Sequence, residues 1–194
     1  MLLCSISVVI AYLLGSLSSA IIASKLLRLP DPRIQGSGNA GATNILRSGK
    51  KKLAVYVLSG DVLKGFVAVL IARALQVHHV GLAFVALFVV IGHVFPIFFN
   101  FHGGKGVATS AGALFVLSPW TSLFLIVVWC LTAFYWRYAS LASIVTSIAA
   151  LLFLLIGGQT HYLFPVSLIA VLIVYKHRDN IARLQKGTES KITL

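Results

Sequence analysis

Acidic residues are the scarcest component of this 194-residue chain: four Asp and Glu face sixteen Lys and Arg. None of Asp31, Asp61, Asp179 and Glu189 stands beside another, so a pair of catalytic carboxylates has no local origin. Cysteine is almost as rare. Cys4 and Cys130 both lie in apolar runs, which excludes a disulfide framework and a four-ligand metal site and leaves them as buried small hydrophobes. There is no G-x-S-x-G elbow, no H-E-x-x-H helix, and no His followed five positions later by Asp as in common acyl-CoA acyltransferases. A nucleophile activated by a neighbouring base is therefore hard to assemble. No internal repeat and no inverted pair of Gly/Pro-broken spans suggests a transporter. The first apolar run has no basic segment before it, so it reads as a retained helix instead of a secretory signal.

What is abundant is apolar surface. The chain is 59% hydrophobic and 10% charged, with a mean hydropathy of +0.97, and 194 residues accommodate at most about seven or eight spans of about 20 residues each. Apolar runs sit near 3–24, 53–76, 80–101, 107–118, 119–136, 138–156 and 161–176. The fourth and fifth are divided by Ser118-Pro119, giving either a tight helical hairpin or one long kinked helix. Charge separates the two. With seven spans and the N-terminus outside, 14 of the 16 Lys and Arg face the cytoplasm. Merging the two runs leaves 8 inside and 6 outside and discards the positive-inside bias. The expectation is an all-α integral membrane protein of seven transmembrane helices, one domain over residues 1–194, N-terminus outside and C-terminus cytoplasmic. The net charge of +12 then reads as orientation and attraction to an anionic leaflet, not as nucleic-acid binding.

The outside connections are brief, whereas a long polar loop from Lys25 to Lys52 lies inside, so chemistry is expected at the inner face. Gly36-Ser37-Gly38-Asn39-Ala40-Gly41 matches G-x-G-x-x-G, but no strand precedes it and Asp61 falls within a span, so a dinucleotide site is excluded. What survives is a glycine loop able to form an anion nest, with Arg47 a few residues on. Its other polar members, Ser37, Thr43 and Asn44, gain weight only by clustering there. A second run, His102-Gly103-Gly104-Lys105-Gly106, opens a helix at Val107 and is not a Walker A loop, because Phe99 occupies the earlier glycine position. Free N–H groups at a helix start beside a cation favour a phosphate or carboxylate. A flexible turn with one snorkelling lysine is the alternative.

Asp61 and Lys64, three apart, share a helix face inside the second span, as a structural ion pair or a functional site. After the last span, His177-Arg178-Asp179-Asn180-Ile181-Ala182-Arg183-Leu184 reads as an interfacial helix, with His177 and Asn180 facing the same way and able to donate to an oxyanion or alcohol. The other histidines, His78, His79, His93, His102 and His161, have no metal-ligand spacing and read as structural; no metal and no organic cofactor is indicated. The inventory amounts to a cationic, N–H-rich pocket at the inner interface suited to two anionic groups.

These segments resemble a known family. Gly36 through Arg47, Gly60-Asp61-Val62-Leu63-Lys64-Gly65, Gly103 through Thr109, and His177 through Leu184 with Gly187 and Glu189 are similar, in order, to the bacterial acyl-phosphate:glycerol-3-phosphate acyltransferases. The seven-span layout is also the family's. Ala40 stands where the family usually has proline, so the first loop is expected to be less rigid. The resemblance implies transfer of a fatty acyl group from acyl phosphate to the sn-1 hydroxyl of glycerol 3-phosphate, giving 1-acylglycerol 3-phosphate (lysophosphatidic acid) and phosphate, the first acylation of phospholipid synthesis. It also implies a multi-pass monomer of the bacterial inner membrane with its site facing the cytoplasm. By the same resemblance Ser37, Arg47, Lys105, His177 and Asn180 are the catalytic set, while Gly38, Asn39, Thr43, Asn44, Gly103, Gly104, Gly106 and Ser143 bind substrate. Asp61, Lys64 and Glu189 are structural. An acyl phosphate carries its own activation, so an enzyme without a protein base is expected to position the groups, neutralise them, and let a substrate phosphate oxygen take the hydroxyl proton. The tail would enter laterally from the bilayer, and Gly15, Ser16, Ser18 and Ser19 permit close helix contact. A small anion transporter, and an acyltransferase using acyl-CoA or acyl carrier protein, are the rival readings.

Overall fold

The computed structural model describes residues 2–192, and its described residues are helices and loops without strand. Two compact units divide the chain between Leu117 and Ser118. The first holds α1 (Leu2–Gly15), α2 (Ser19–Leu26), α3 (Ala42–Arg47), α4 (Lys51–Ala74), α5 (His79–Val94) and α6 (Val107–Leu117), with single 3-10 turns at Pro32–Ile34 and Ile97–Phe99. The second holds α7 (Pro119–Trp136), α8 (Ala139–Ile156), a 3-10 turn at Thr160–Tyr162, α9 (Leu163–Lys176) and α10 (Arg178–Gln185).

In the first unit α1 packs on α5, and α4 packs on α6 and α5. Glycine sets both principal crossings. A Cβ at Gly92 would overlap the Tyr12 carbonyl, and one at Gly15 the Val89 carbonyl; Gly112 stands in the same relation to Val62 and Gly65 to Thr109. Each helix of a pair thus offers a glycine to the other's backbone, which brings the axes together where lipid supplies no hydrophobic drive. The uninterrupted run expected near 3–24 is in fact broken. α1 ends at Gly15, Ser18 caps α2 by accepting from Ile21 N at 3.4 Å, and the two helices are inclined at 43°. Hydropathy counts side-chain composition and does not register a serine whose hydroxyl replaces a helical carbonyl.

In the second unit α8 packs between α7 and α9. Pro119 occupies the first turn of α7, where it has no N–H to waste, and Ser118 Oγ donates to Thr121 Oγ1 at 2.7 Å. Ser118, between α6 and α7, is non-helical at φ −149° and ψ +87°, so they are separate helices. α7 ends at Arg137, whose φ is +63°, and the tail returns to it through Ile192 N donating to Arg137 O at 2.7 Å. α9 meets α10 at 55°, the bend falling at His177.

Among the described residues four helices are long and apolar enough to cross a membrane, or up to six segments if each bent pair is counted as one. α6, at 11 residues, rises about 16 Å against a hydrocarbon core of about 30 Å. Exposure agrees with a lipid environment. α7 exposes Trp120 at one end and Tyr135 and Trp136 at the other, about 24 Å along its axis, the spacing of two interfacial aromatic belts.

Candidate active site

The first glycine loop is built on one side chain. Asn44, in the first turn of α3, is buried; its Oδ1 accepts from Ser37 N at 3.0 Å. Its Nδ2 donates to Pro32 O at 2.8 Å and to Gln35 O and Asn39 O at 3.0 Å each, so two hydrogens serve three carbonyls. Gly36 and Gly38 have φ of +56° and +70°, and a Cβ at Gly36 would overlap Asn44 Oδ1. Ser37 and Gly38 are exposed at the loop crest, Asn39 and Thr43 are half-buried, and Arg47 is exposed at the end of α3. Ala40, the proline substitute, is 1% exposed among Ala20, Ile21, Ile45 and Val57, so packing restrains the loop where a pyrrolidine ring would have done so.

One further device fixes the approach to this loop. Arg33 donates from Nε to Asp31 Oδ1 and Oδ2 at 3.0 and 3.1 Å and from Nη2 to Oδ2 at 2.7 Å, while its Nη1 donates to Phe99 O at 3.0 Å. The Arg33 hydrogen bonds hold the Asp31 carboxyl below its usual range despite partial burial. The fork ties the segment before the first loop to the turn before the second.

The second loop doubles back on the end of α5. Gly103 N donates to Val94 O at 3.3 Å and Gly104 N to His93 O at 3.1 Å. A Cβ at Gly103 would overlap the His93 carbonyl, and one at Gly104 would overlap His93 Nε2 while lying 3.1 Å from Ala40 O. The two glycine loops therefore touch, backbone to backbone, at Ala40 and Gly104. Gly106 has φ +90° and delivers the chain into α6, whose first-turn N–H groups have no intrahelical acceptor; Lys105, half-buried, stands just before them.

Beneath this loop lies a buried polar node. Asp61 accepts from Ser19 Oγ at 2.9 Å and pairs with Lys64 Nζ at 3.0 Å; Lys64 also donates to Leu17 O at 2.9 Å. The ion pair thus satisfies the backbone and hydroxyl groups exposed by the α1–α2 break. His93 Nδ1 approaches Asp61 Oδ1 at 3.5 Å.

The second unit gathers the remaining polar residues. His177 and Asn180 are buried on one side of the α9–α10 bend. His177 Nδ1 lies 2.8 Å from the carbonyl of Ile173, which can only accept, so Nδ1 carries the proton and Nε2 is the acceptor of the neutral ring. Glu189, 6% exposed, accepts from Ser140 Oγ at 2.9 Å and Asn180 Nδ2 at 2.7 Å through Oε1, and from Arg183 Nε at 2.7 Å through Oε2. Burial alone would raise its carboxyl; the bonds from Asn180, Arg183 and Ser140 outweigh burial and hold it below the usual range. Ser143 Oγ donates to Ala139 O at 2.8 Å and accepts from Trp129 Nε1 at 3.2 Å.

Sequence reasoning did not single out Arg33, Ser140 or Trp129, gave Ser19 only a packing role and Arg183 only a place in the interfacial helix, and left His93 among scattered histidines. Most act through a contact distant in the chain or by way of a backbone group, which spacing does not signal, and Arg183 reaches Glu189 only because the chain turns back after α10. Among the described residues no three His, Cys, Asp or Glu side chains converge as a metal site would require.

The fold and these loops define a polytopic helical membrane protein whose first unit presents two joined, N–H-rich glycine loops, each followed by a cation. The family model for glycerol-3-phosphate acyltransferase matches residues 5–187. A glycerol-3-phosphate acyltransferase of Coxiella burnetii (strain RSA 493 / Nine Mile phase I) is 57% identical over 189 residues, 97% of this chain and 98% of its own length. One of Neisseria meningitidis serogroup A is 49% identical, covering 96% of each. The crystal structure of PlsY, an integral membrane glycerol 3-phosphate acyltransferase, in its glycerol 3-phosphate form superposes with a TM-score of 0.93 at 44% identity, over 98% of this chain and 96% of that one. The lysophosphatidic acid form gives 0.89. The chain belongs to the glycerol-3-phosphate acyltransferase family.

Proposed function

We propose that this protein transfers a fatty acyl group from acyl phosphate to the sn-1 hydroxyl of glycerol 3-phosphate, releasing 1-acylglycerol 3-phosphate and inorganic phosphate. The observation that carries the proposal is the contact of the two glycine loops at Ala40 and Gly104, with Arg47 after one and Lys105 within the other, in a chain that matches the acyltransferase family end to end. Two phosphate-bearing substrates repel unless N–H dipoles and cations hold them, and the loops supply both. The relative crystallised with glycerol 3-phosphate supports the acceptor, and the one with lysophosphatidic acid the product.

In this reading the acceptor hydroxyl oxygen attacks the carbonyl carbon of the mixed anhydride. The bond from the carbonyl carbon to the oxygen bridging to phosphorus breaks, phosphate leaves with the electron pair, and the hydroxyl proton passes to a phosphate oxygen. Arg47 and Lys105 neutralise the phosphates, Ser37 and the N–H groups around Gly38 and Asn39 cradle one of them, and Gly103, Gly104 and Gly106 shape the turn at Lys105. His177 and Asn180 orient oxygen atoms of the substrates. Positioning of this kind supplies about 7–11 kcal/mol. Thr43 and Ser143 remain assigned to substrate by resemblance. Asn44 acts on substrate through the loop it builds, because its amide is engaged with Pro32, Gln35, Asn39 and Ser37.

The membrane reading completes the proposal: seven crossings in the bacterial inner membrane, with α6 as the short one, the N-terminus outside, the C-terminus and the site cytoplasmic, and the protein acting as a monomer. The experiment is phosphate release from palmitoyl phosphate by the detergent-purified protein, with and without glycerol 3-phosphate, beside palmitoyl-CoA and the Lys105→Ala variant. Acceptor-dependent release from the acyl phosphate, sharply reduced in the variant at sub-saturating substrate, is expected. Activity with the CoA ester alone overturns the donor, and silence of a folded sample with both donors overturns the reading.

A further inference from the structure

His93 is a buried titratable side chain that the proposed chemistry does not use. It sits in the last turn of α5, 5% exposed, and three of its groups point to neighbours. The carbonyl accepts Gly104 N at 3.1 Å. Nδ1 faces Asp61 Oδ1 at 3.5 Å. Nε2 lies where any side chain at Gly104 would have to go. Asp61 in turn is held by Lys64 and Ser19, and Lys64 by the Leu17 carbonyl, so the carboxylate facing the imidazole cannot rotate without unfastening the α1–α2 break. A carboxylate accepts only, so the imidazole nitrogen facing it is the one that carries a proton, and Nε2 is turned toward the Gly103–Gly104 turn.

We propose that His93 is a positioning residue for the glycine loop: oriented by Asp61 and Lys64, its ring fixes the height of the Gly103–Gly104 turn, and with it the direction of Lys105 and of the first N–H groups of α6 toward a substrate phosphate. It touches no substrate and acts through the loop. The reasoning is geometric. A glycine turn has the widest conformational choice of any backbone, so something outside it must select one conformer if its N–H groups are to converge on an anion. Backbone bonds to Val94 and His93 anchor one side of the turn, and the imidazole is the side chain nearest the Cβ position of Gly104. The inference rests on the reading that this loop holds a substrate phosphate, and its test separates the two.

Steady-state kinetics with both substrates varied, on the detergent-purified full chain, compares wild type with Lys105→Ala, His93→Leu, His93→Gln and His93→Asn. Lys105→Ala identifies which phosphate the loop holds, by raising that substrate's KM. His93→Leu is expected to raise the same KM about tenfold and to leave the other KM within about twofold. His93→Gln, long enough to bring a polar atom to the turn, stays within about threefold of wild type, whereas His93→Asn, which ends short of Gly104, behaves like the leucine variant. If the leucine variant is not recovered folded, the Gln–Asn contrast decides alone. A Lys105→Ala enzyme with both KM values unchanged overturns the loop reading and this inference with it. A raised KM in Lys105→Ala beside unchanged values in all His93 variants, or equal losses for both substrates with a lowered melting temperature, overturns the inference and leaves the loop reading standing.

Discussion

Single residues carry the site's geometry through hydrogen bonds that no other side chain can reproduce. Asn44 offers one acceptor and two donors at the end of a short branch, and all are spent on the backbone of residues 32–39. Its replacement by Ala leaves three carbonyls and one N–H to water, which the partly exposed loop admits. Asn44→Ala is therefore expected to fold while losing about 10–100-fold in kcat/KM, measured by phosphate release, because the nest loses its shape and not its charge. Asn44→Asp is expected to be as poor, since the carboxylate cannot donate to Pro32, Gln35 and Asn39. Glu189 governs the second unit similarly. Its folded carboxyl lies below the usual range, so its contribution to stability is present above the unfolded value near about pH 4.3 and fades as pH falls through the folded one. Glu189→Gln is expected to cost about 1–3 kcal/mol at neutral pH, since the amide cannot accept at both positions, and the gap to wild type should close on acidification in detergent melting curves.

At the scale of helices, glycine decides how closely elements approach. Gly112 lies against Val62 and Gly65 against Thr109, so α4 and α6 meet backbone to backbone. Gly112→Leu is expected to destabilise the first unit by about 1–3 kcal/mol or more, seen as a lowered melting temperature; Gly158→Ala, where a Cβ meets nothing within 4 Å, is expected to cost only the strain of its φ of +68°. The α1–α2 break shows the complementary effect. It frees the Leu17 carbonyl and places Ser19 at a helix start, and the Asp61–Lys64 pair answers both from α4. The composition of residues 3–24 reads as one span, whereas serine hydroxyls and an ion pair 42 residues along the chain make it two helices. The glycine loops were legible because their residues are contiguous. The Arg33 fork, the Asn44 hub and the His93 contact were not, because each joins a side chain to a backbone group whose position depends on folding.

For the molecule as a whole, charge placement is the governing term. In the proposed orientation fourteen of sixteen cations lie in cytoplasmic segments, among them Arg178, Arg183 and Lys186 of or next to α10. After Cys4 and Cys130 are replaced by Ala, a cysteine at Lys186 is expected to react with a membrane-impermeant thiol reagent only once the inner face is opened. One at Thr160 is expected to react in intact cells. The opposite pattern would reverse the orientation and move the proposed site to the other side. The sequence by itself determined the membrane class, the helical content, the uneven placement of charge and the two glycine loops, since composition and contiguous motifs act locally. Only the tertiary structure decided that the first run is broken, that Asn44 binds the backbone of residues 32–39 and His93 lies against Gly104, and that Ala40 and Gly104 bring the two loops together. Those features arise where a side chain satisfies a distant backbone group, and hydrogen-bond demand of that kind exists only after the chain has folded.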